Sequence, residues 1–184
     1  MFEMSYLTQE LFTNEQIREI NKRIKKQLDD VDGSIKEPAN MPAGDAIKTG
    51  EFFIIPCGGV MDLIHPWLHM CQKCNTDQIG FDINWDFHLD SVSYNIYEMG
   101  GEYTWHTDGI VNNPNKDIKL TCLLNLSEEP YEGGEFNLDS DDDNPQFTSG
   151  KGLIVHPYRR HKVTPVTKGK RITLTYWAEG PSWK

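Results

Sequence analysis

The chain has 184 residues, enough to bury one core without disulfides or structural zinc and too few for two domains of ordinary size. With 28 acidic against 18 basic side chains and a net charge of −10, most of its surface repels phosphate and anionic lipid, which argues against nucleic acid or a membrane as partner. Residues 1 to 12 lack the basic start and apolar run of a signal peptide, and no stretch reaches the roughly 18 apolar residues that span a bilayer; a soluble cytoplasmic protein is expected.

In chain order, Thr13 and Asn14 offer N-cap oxygens, and Ile17, Ile20, Ile24 and Leu28 then recur at helical spacing, which predicts an amphipathic helix ending near Asp29. Its basic face, with Arg18, Lys22, Arg23, Lys25 and Lys26, reads as the solvated side of a packed helix rather than as a site for an acidic partner. Residues 37 to 49, rich in Pro, Ala, Gly and Asp, read as a loop, a candidate lid, leading into the apolar run Phe52 to Ile55. A second helix is expected over Met61 to Asn75, bent or restarted at Pro66. Beyond Gly80 the chain turns to short alternating segments, with strands expected near 82–87, 91–97, 119–126, 134–137, 152–156, 161–165 and 171–177. Helices first and strands afterwards suggest an α+β, mainly β chain. The expected fold is a double-stranded β-helix (jelly roll) from about residue 80 to 184, with a helical layer from about 1 to 79 packed on one sheet, all in a single domain.

Two minor motifs carry little. Cys71 and Cys74 form a CxxC pair without a second pair or a thioredoxin-like setting, so they and Cys57 and Cys122 are read as reduced, idle thiols. The acidic run Asp139 to Asn144 has Asn144 where a calcium loop needs Gly and Gly150 where it needs Glu, and is read as a solvated turn.

The chemistry concentrates in His106, Thr107 and Asp108. Residues two apart on an extended segment face the same way, so an imidazole and a carboxylate can reach one metal ion. The same spacing in His88 and Asp90 is read as structural, because only the pair at 106 sits between Gly100–Gly101 and the Gly109 to Asn115 loop, at a strand end that can open to solvent. His161, 53 residues beyond Asp108, is the preferred third ligand, with His156 as its competitor at the end of an apolar strand. Two histidines and one carboxylate leave positions open on the metal, as in non-haem Fe(II) oxygenases, and zinc would accept the same donors. Arg171, ten residues after His161, separates the two: its planar fork grips a carboxylate, and Thr173 on the same face adds a hydroxyl.

Three runs, YEMGGEYTWHTDG (97–109), KLTCLLNLSEEPYEGGEF (119–136) and HPYRRHKVTPVTKGKR (156–171), stand in order at compatible spacings. They closely resemble the prolyl 4-hydroxylase-like group of 2-oxoglutarate/Fe(II) oxygenases, and most of all the small PKHD-type hydroxylases. The likeness covers roughly residues 91 to 184. The resemblance implies that His106, Asp108 and His161 hold Fe(II), that Arg171 and Thr173 hold the distal carboxylate of 2-oxoglutarate, and that Tyr97 contacts this cosubstrate near the metal. It also implies that Thr121, Leu123 and Asn125 line the cosubstrate slot. Asn125 stands where some relatives have tyrosine, and His156 where relatives commonly have an aromatic residue. Tyr103, Trp105 and Trp177 neighbour the site as core or as substrate platform.

The implied reaction consumes O2, releases succinate and CO2, and hydroxylates a peptide or protein residue, proline first, with ascorbate as a candidate stimulant. A free amino acid is the second substrate class. The rival readings are a non-catalytic metal-binding jelly roll, a zinc hydrolase, which would want a nearby Glu or His as base, and a nucleic-acid demethylase, which the acidic balance disfavours. Oligomeric state is not legible.

Overall fold

The computed structural model describes residues 6–30, 35–37, 41–43, 46–87, 90–108, 115–139 and 144–183. Helix α1 (Asn14–Asp30) begins at a reciprocal cap: the Thr13 N–H donates to Gln16 Oε1 (2.9 Å) and the Gln16 N–H to Thr13 Oγ1 (3.4 Å). Ile17, Ile20 and Ile24 are buried on its inner face, while Arg18, Lys22, Lys25 and Lys26 lie outside. Part of the basic face is paired within the fold, Arg23 with Asp62 (3.4 Å) and Lys25 with Glu128 (3.6 Å). Helix α2 (Met61–Cys74) buries Ile64, Trp67, Leu68 and Cys71 and, against expectation, runs unbroken through Pro66. The carbonyl that Pro66 leaves without its helical N–H belongs to Asp62, in an exposed first turn where water can serve it.

The strands are β1 (Tyr6–Glu10), β2 (Ile35–Glu37), β3 (Met41–Ala43), β4 (Ala46–Thr49), β5 (Glu51–Pro56), β6 (Ser91–Tyr97) and β7 (Glu102–His106), followed by β8 (Lys116–Asn125), β9 (Glu132–Gly133), β10 (Phe136–Leu138), β11 (Lys151–Val155), β12 (His161–Val163), β13 (Val166–Lys168) and β14 (Arg171–Pro181). One sheet has the order β1-β11-β8-β14-β6-β5-β2, a second the order β10-β12-β7-β4-β3, and β9 and β13 form a short ribbon. Every pairing is antiparallel. The two sheets face each other as the double-stranded β-helix expected from the sequence, with α1 and α2 packed on the outer face of the seven-stranded sheet.

Strand β8 shows how the layers form. Leu120, Cys122 and Leu124 point to the helices and join the main core, while Leu123 points to the second sheet and packs with Phe136, Leu153 and Val163. Both faces are covered, so the strand reads as a nearly continuous apolar run.

Three expectations are corrected. The 37–49 stretch is not one loop: β3 and β4 pair there as a hairpin, and β4 joins β7. Residues 82–87 form no strand; the Asn84 N–H bonds to the Glu179 carbonyl (2.9 Å) and the Asp86 carbonyl accepts from the Asp90 N–H (3.0 Å), and Trp85 and Phe87 pack on Tyr176. The apolar alternation there serves side-chain packing without a ladder. Finally, the N-terminal part supplies β1, β4 and β5 to the two sheets, so a boundary near residue 80 does not separate helices from jelly roll.

A buried polar tie fixes α1 to the sheet. Asn21 donates to the Leu126 carbonyl (2.8 Å) and accepts from the Tyr94 hydroxyl (3.1 Å). Asn21→Ala strands both partners away from water and is expected to lower stability by about 1–3 kcal/mol. Adding Tyr94→Phe should cost less in that variant than in the parent, which urea unfolding of the four proteins in the cycle will measure.

Candidate active site

His106 ends β7 and His161 begins β12, and the two strands pair with His161 directly opposite His106. Between this pair and the next, Val163 with Tyr103, β12 advances two residues and β7 three. The extra residue is a bulge, and it lets Tyr103 and His106 face the same cleft although three positions apart. Tyr103 accordingly stacks on His106 (ring centroids 3.4 Å), and Phe136 stacks on His161 (5.0 Å). The chain leaves β7 with the Asp108 N–H bonded to the Pro157 carbonyl (2.8 Å), which turns the Asp108 carboxylate back to the histidines.

The ligating atoms of His106, Asp108 and His161 all lie within 4.8 Å of one another. His106 Nε2 is 3.6 Å from Asp108 Oδ1 and His161 Nε2 is 3.5 Å from Asp108 Oδ2. Each Nδ1 faces a backbone carbonyl two residues back, Thr104 for His106 (2.7 Å) and Arg159 for His161 (2.8 Å). A carbonyl only accepts, so each Nδ1 carries the proton and each Nε2 lone pair is turned to the shared centre, the tautomer a metal needs. Thr121 Oγ1 donates to Asp108 Oδ2 (2.8 Å) and so orients the carboxylate. Burial pushes the His106 pKa down to about 4, His161 adding to the effect and Asp108 opposing it.

The lining of the cleft includes Tyr97, Leu123, Arg171, Thr173 and Trp177 besides the three clustered side chains. Arg171 begins β14 opposite Tyr97 and is only 1% exposed. Its Nε and Nη2 are buried without a hydrogen-bond partner. Its guanidinium lies 5.2 Å from the Tyr97 ring centre and 5.7 Å from that of Phe147. Gly134, at φ 61°, leaves the space: a Cβ there would meet Arg171 Cδ at 3.0 Å. A buried cation with orphaned donors is costly, and a carboxylate with two oxygens for those donors is the group that relieves it. Burial raises the Tyr97 phenol to about 12, which keeps its proton on as a donor.

The structure thus brings His161 to the His106–Asp108 pair and leaves His156 outside, stacked on Trp183 and accepting at Nδ1 from the Tyr158 N–H (3.3 Å). Asn125, expected to line the slot, instead donates to Tyr131 Oη (3.0 Å) and the Phe147 carbonyl (2.8 Å) and accepts from the Ser127 N–H (3.0 Å). It holds loops together and is not part of the lining; Thr173 is. Trp105 lies by Lys162 and Arg160, outside the lining, whereas Tyr103 and Trp177 belong to it. His88 and residues 109–114 and 140–143 lie outside the described residues; Asp90 accepts from the Tyr176 hydroxyl (2.6 Å), and Asp139 pairs with Arg159 (2.9 Å). All four cysteines are free thiols. Lys48 and Asn95 were missed as lining residues: Lys48 sat in a supposed loop, and a lone Asn in an apolar strand carries no signal.

Paired sheets with two histidines, an aspartate and a buried arginine in the cleft between them define a double-stranded β-helix with a candidate metal centre. Residues 92–179 match the model of the 2OG-Fe(II) oxygenase superfamily. A PKHD-type hydroxylase of Janthinobacterium sp. (strain Marseille) is 37% identical over 94 residues, which cover 47% of this chain and 42% of that one. One from Stenotrophomonas maltophilia (strain R551-3) is 35% identical over 94 residues, covering 47% and 41%. The chain spans about two fifths of the length of these curated relatives. Among solved structures, a Pseudomonas putida prolyl-4-hydroxylase aligns with a TM-score of 0.72 at 15% identity, over 98% of this chain and 95% of that one. The viral collagen prolyl hydroxylase of Paramecium Bursaria Chlorella virus-1 gives 0.70 at 18% identity, over 97% of each chain. The sequence likeness is therefore to 2OG-Fe(II) oxygenases over slightly less than half the chain, and the fold likeness runs through nearly all of it. Among the described residues no helix is long and apolar enough to cross a membrane.

The depressed His106 pKa has a consequence for the metal-free protein. In the unfolded chain an imidazole takes up its proton near pH 6.5, whereas folded His106 resists until about 4. Between these limits the unfolded state binds more protons, so stability falls as pH drops from about 6.5 to 4. His106→Asn should flatten that slope, read from urea midpoints across the range.

Proposed function

We propose that this protein is a 2-oxoglutarate- and Fe(II)-dependent dioxygenase that hydroxylates a peptidyl residue, proline first. The observation that carries the reading is the pairing, in one cleft, of a His106/Asp108/His161 cluster with a buried Arg171 whose donors lack partners. The donor set fits Fe(II): two neutral imidazole nitrogens and one carboxylate leave the opposite positions of the ion open. When bound, the iron and 2-oxoglutarate supply O2 activation, with release of succinate and CO2. Zinc would accept the three donors too, but a zinc hydrolase has no use for a buried guanidinium, and among the described residues Asp108 itself is the only carboxylate in the lining.

The protein's own part is placement. Arg171 and Thr173 receive the distal carboxylate of the keto-diacid, and Tyr97 donates a hydrogen bond beside it. Thr121 holds Asp108 in its ligating rotamer, and the Thr104 and Arg159 carbonyls hold the two imidazoles. Tyr103 and Phe136 back the rings and keep water from the far side of each histidine. No side chain has to move a proton at the reacting carbon; orientation and shielding are the chain's contribution.

A peptide substrate is favoured by the relatives' names as hydroxylases and by one structural neighbour, a Trichoplax adhaerens prolyl hydroxylase bound to a hypoxia inducible factor peptide (TM-score 0.68, 12% identity, over 95% of this chain and 83% of that one). Anaerobic addition of Fe(II) and 2-oxoglutarate should produce a weak visible charge-transfer band that His106→Ala and Arg171→Ala both diminish. Succinate release in air should follow proline-containing peptides. A protein that gives neither band nor succinate is not this enzyme.

A further inference from the structure

Besides Arg171, the cleft has a second cation in its wall. Lys48, on β4, is 8% exposed and lines the same cavity as the His106 cluster. Its ammonium donates to Asn95 Oδ1 (3.0 Å), lies 3.9 Å above the Phe52 ring and 5.4 Å from that of Tyr103, the ring stacked on His106. Asn95 is itself braced: it accepts from Ser93 Oγ (2.9 Å) and donates to the Ser93 carbonyl (3.1 Å) and Thr175 Oγ1 (3.2 Å). On β6 it stands opposite Thr173, the residue that follows Arg171 on the same face of β14. A lysine whose ammonium lies over an aromatic face and donates to a braced amide is pre-organised, so little side-chain freedom remains to be lost when an anion arrives.

Resting on the oxygenase reading, we infer that Lys48 is a second carboxylate-binding residue of this cleft, distinct from Arg171. Before any metal is counted, the lining among the described residues has two cations, Lys48 and Arg171, against one carboxylate, Asp108, with two histidines and the phenols of Tyr97 and Tyr103, a composition that favours anionic guests. Position separates the two cations. Arg171 lies between Tyr97 and Phe147, whereas Lys48 lies beside Phe52 and Tyr103, nearer His106. The carboxylate it holds belongs either to 2-oxoglutarate or to the substrate, and in the second case the preferred substrate presents a free acid close to the reacting carbon.

Lys48→Met keeps an unbranched side chain of similar length beside Phe52, and Asn95 Oδ1 keeps the Ser93 hydroxyl, so the fold should survive; Lys48→Gln serves if it does not, with far-UV circular dichroism and Tm as controls. Two titrations of the Mn(II)-loaded protein by intrinsic tryptophan fluorescence distinguish the sources. If the cosubstrate is held, the Kd for 2-oxoglutarate rises by about tenfold or more in the variant. If the substrate is held, that Kd is unchanged, the parent with 2-oxoglutarate bound prefers N-acetylproline over N-acetylprolinamide, and the variant loses the preference. Equal affinity for 2-oxoglutarate together with no acid-over-amide difference in parent or variant overturns the role of Lys48. A parent protein that fails to bind 2-oxoglutarate at all overturns the oxygenase reading instead.

Discussion

The antiparallel register of β7 against β12 is the constraint on which the candidate site depends. It sets His106 opposite His161, and the bulge one step along turns Tyr103 into the cleft beside His106. A one-residue slip of either strand would carry a histidine to the opposite face and dismantle the cluster. Both imidazoles are further fixed by carbonyls of their own strands or turns, and Asp108 by the Pro157 carbonyl and the Thr121 hydroxyl. Each donor atom is therefore oriented by groups outside the cluster, which is the condition for a metal site formed before the metal arrives.

The larger sheet provides the stiffness behind that arrangement. Its strands β6, β8 and β14 bury one face against α1 and α2 and offer the other to the cleft, so Thr121, Leu123, Arg171 and Thr173 project from a backed surface. Some polar groups that cross the apolar layers are paired: Asn21 with Tyr94 and Leu126, and Ser127, whose hydroxyl accepts from the Ile172 N–H (3.0 Å) beside Arg171. Arg171, by contrast, is a cation buried with two donors unmatched. Stability alone would not retain such a group, and its cost makes sense only if an anion visits.

Strand β6 and the central strands of the jelly roll were legible because β-branched and apolar runs between turn residues need nothing beyond their neighbours to declare themselves. The first helix is equally plain from the spacing of Ile17, Ile20 and Ile24, and the second falls within the expected Met61 to Asn75 stretch. The β3–β4 hairpin was read as a loop because its pairing lies partly with β7, more than fifty residues away, and local composition cannot report a partner. Residues 82–87 differ in the opposite sense: alternating apolar residues look like a strand, but their rings pack on Tyr176 while their backbone joins no ladder.

By itself the sequence determined which chemical groups are available, two histidines, a carboxylate and an arginine at strand ends, because side-chain type and local extended geometry are properties of short segments. Only the tertiary structure decided that His161 and not His156 completes the cluster, that Asn125 serves loops and not the cleft, and that Lys48 stands in the cleft wall. Those outcomes are set by strand register and by a bulge, which are agreements between distant segments and leave no mark in either segment alone.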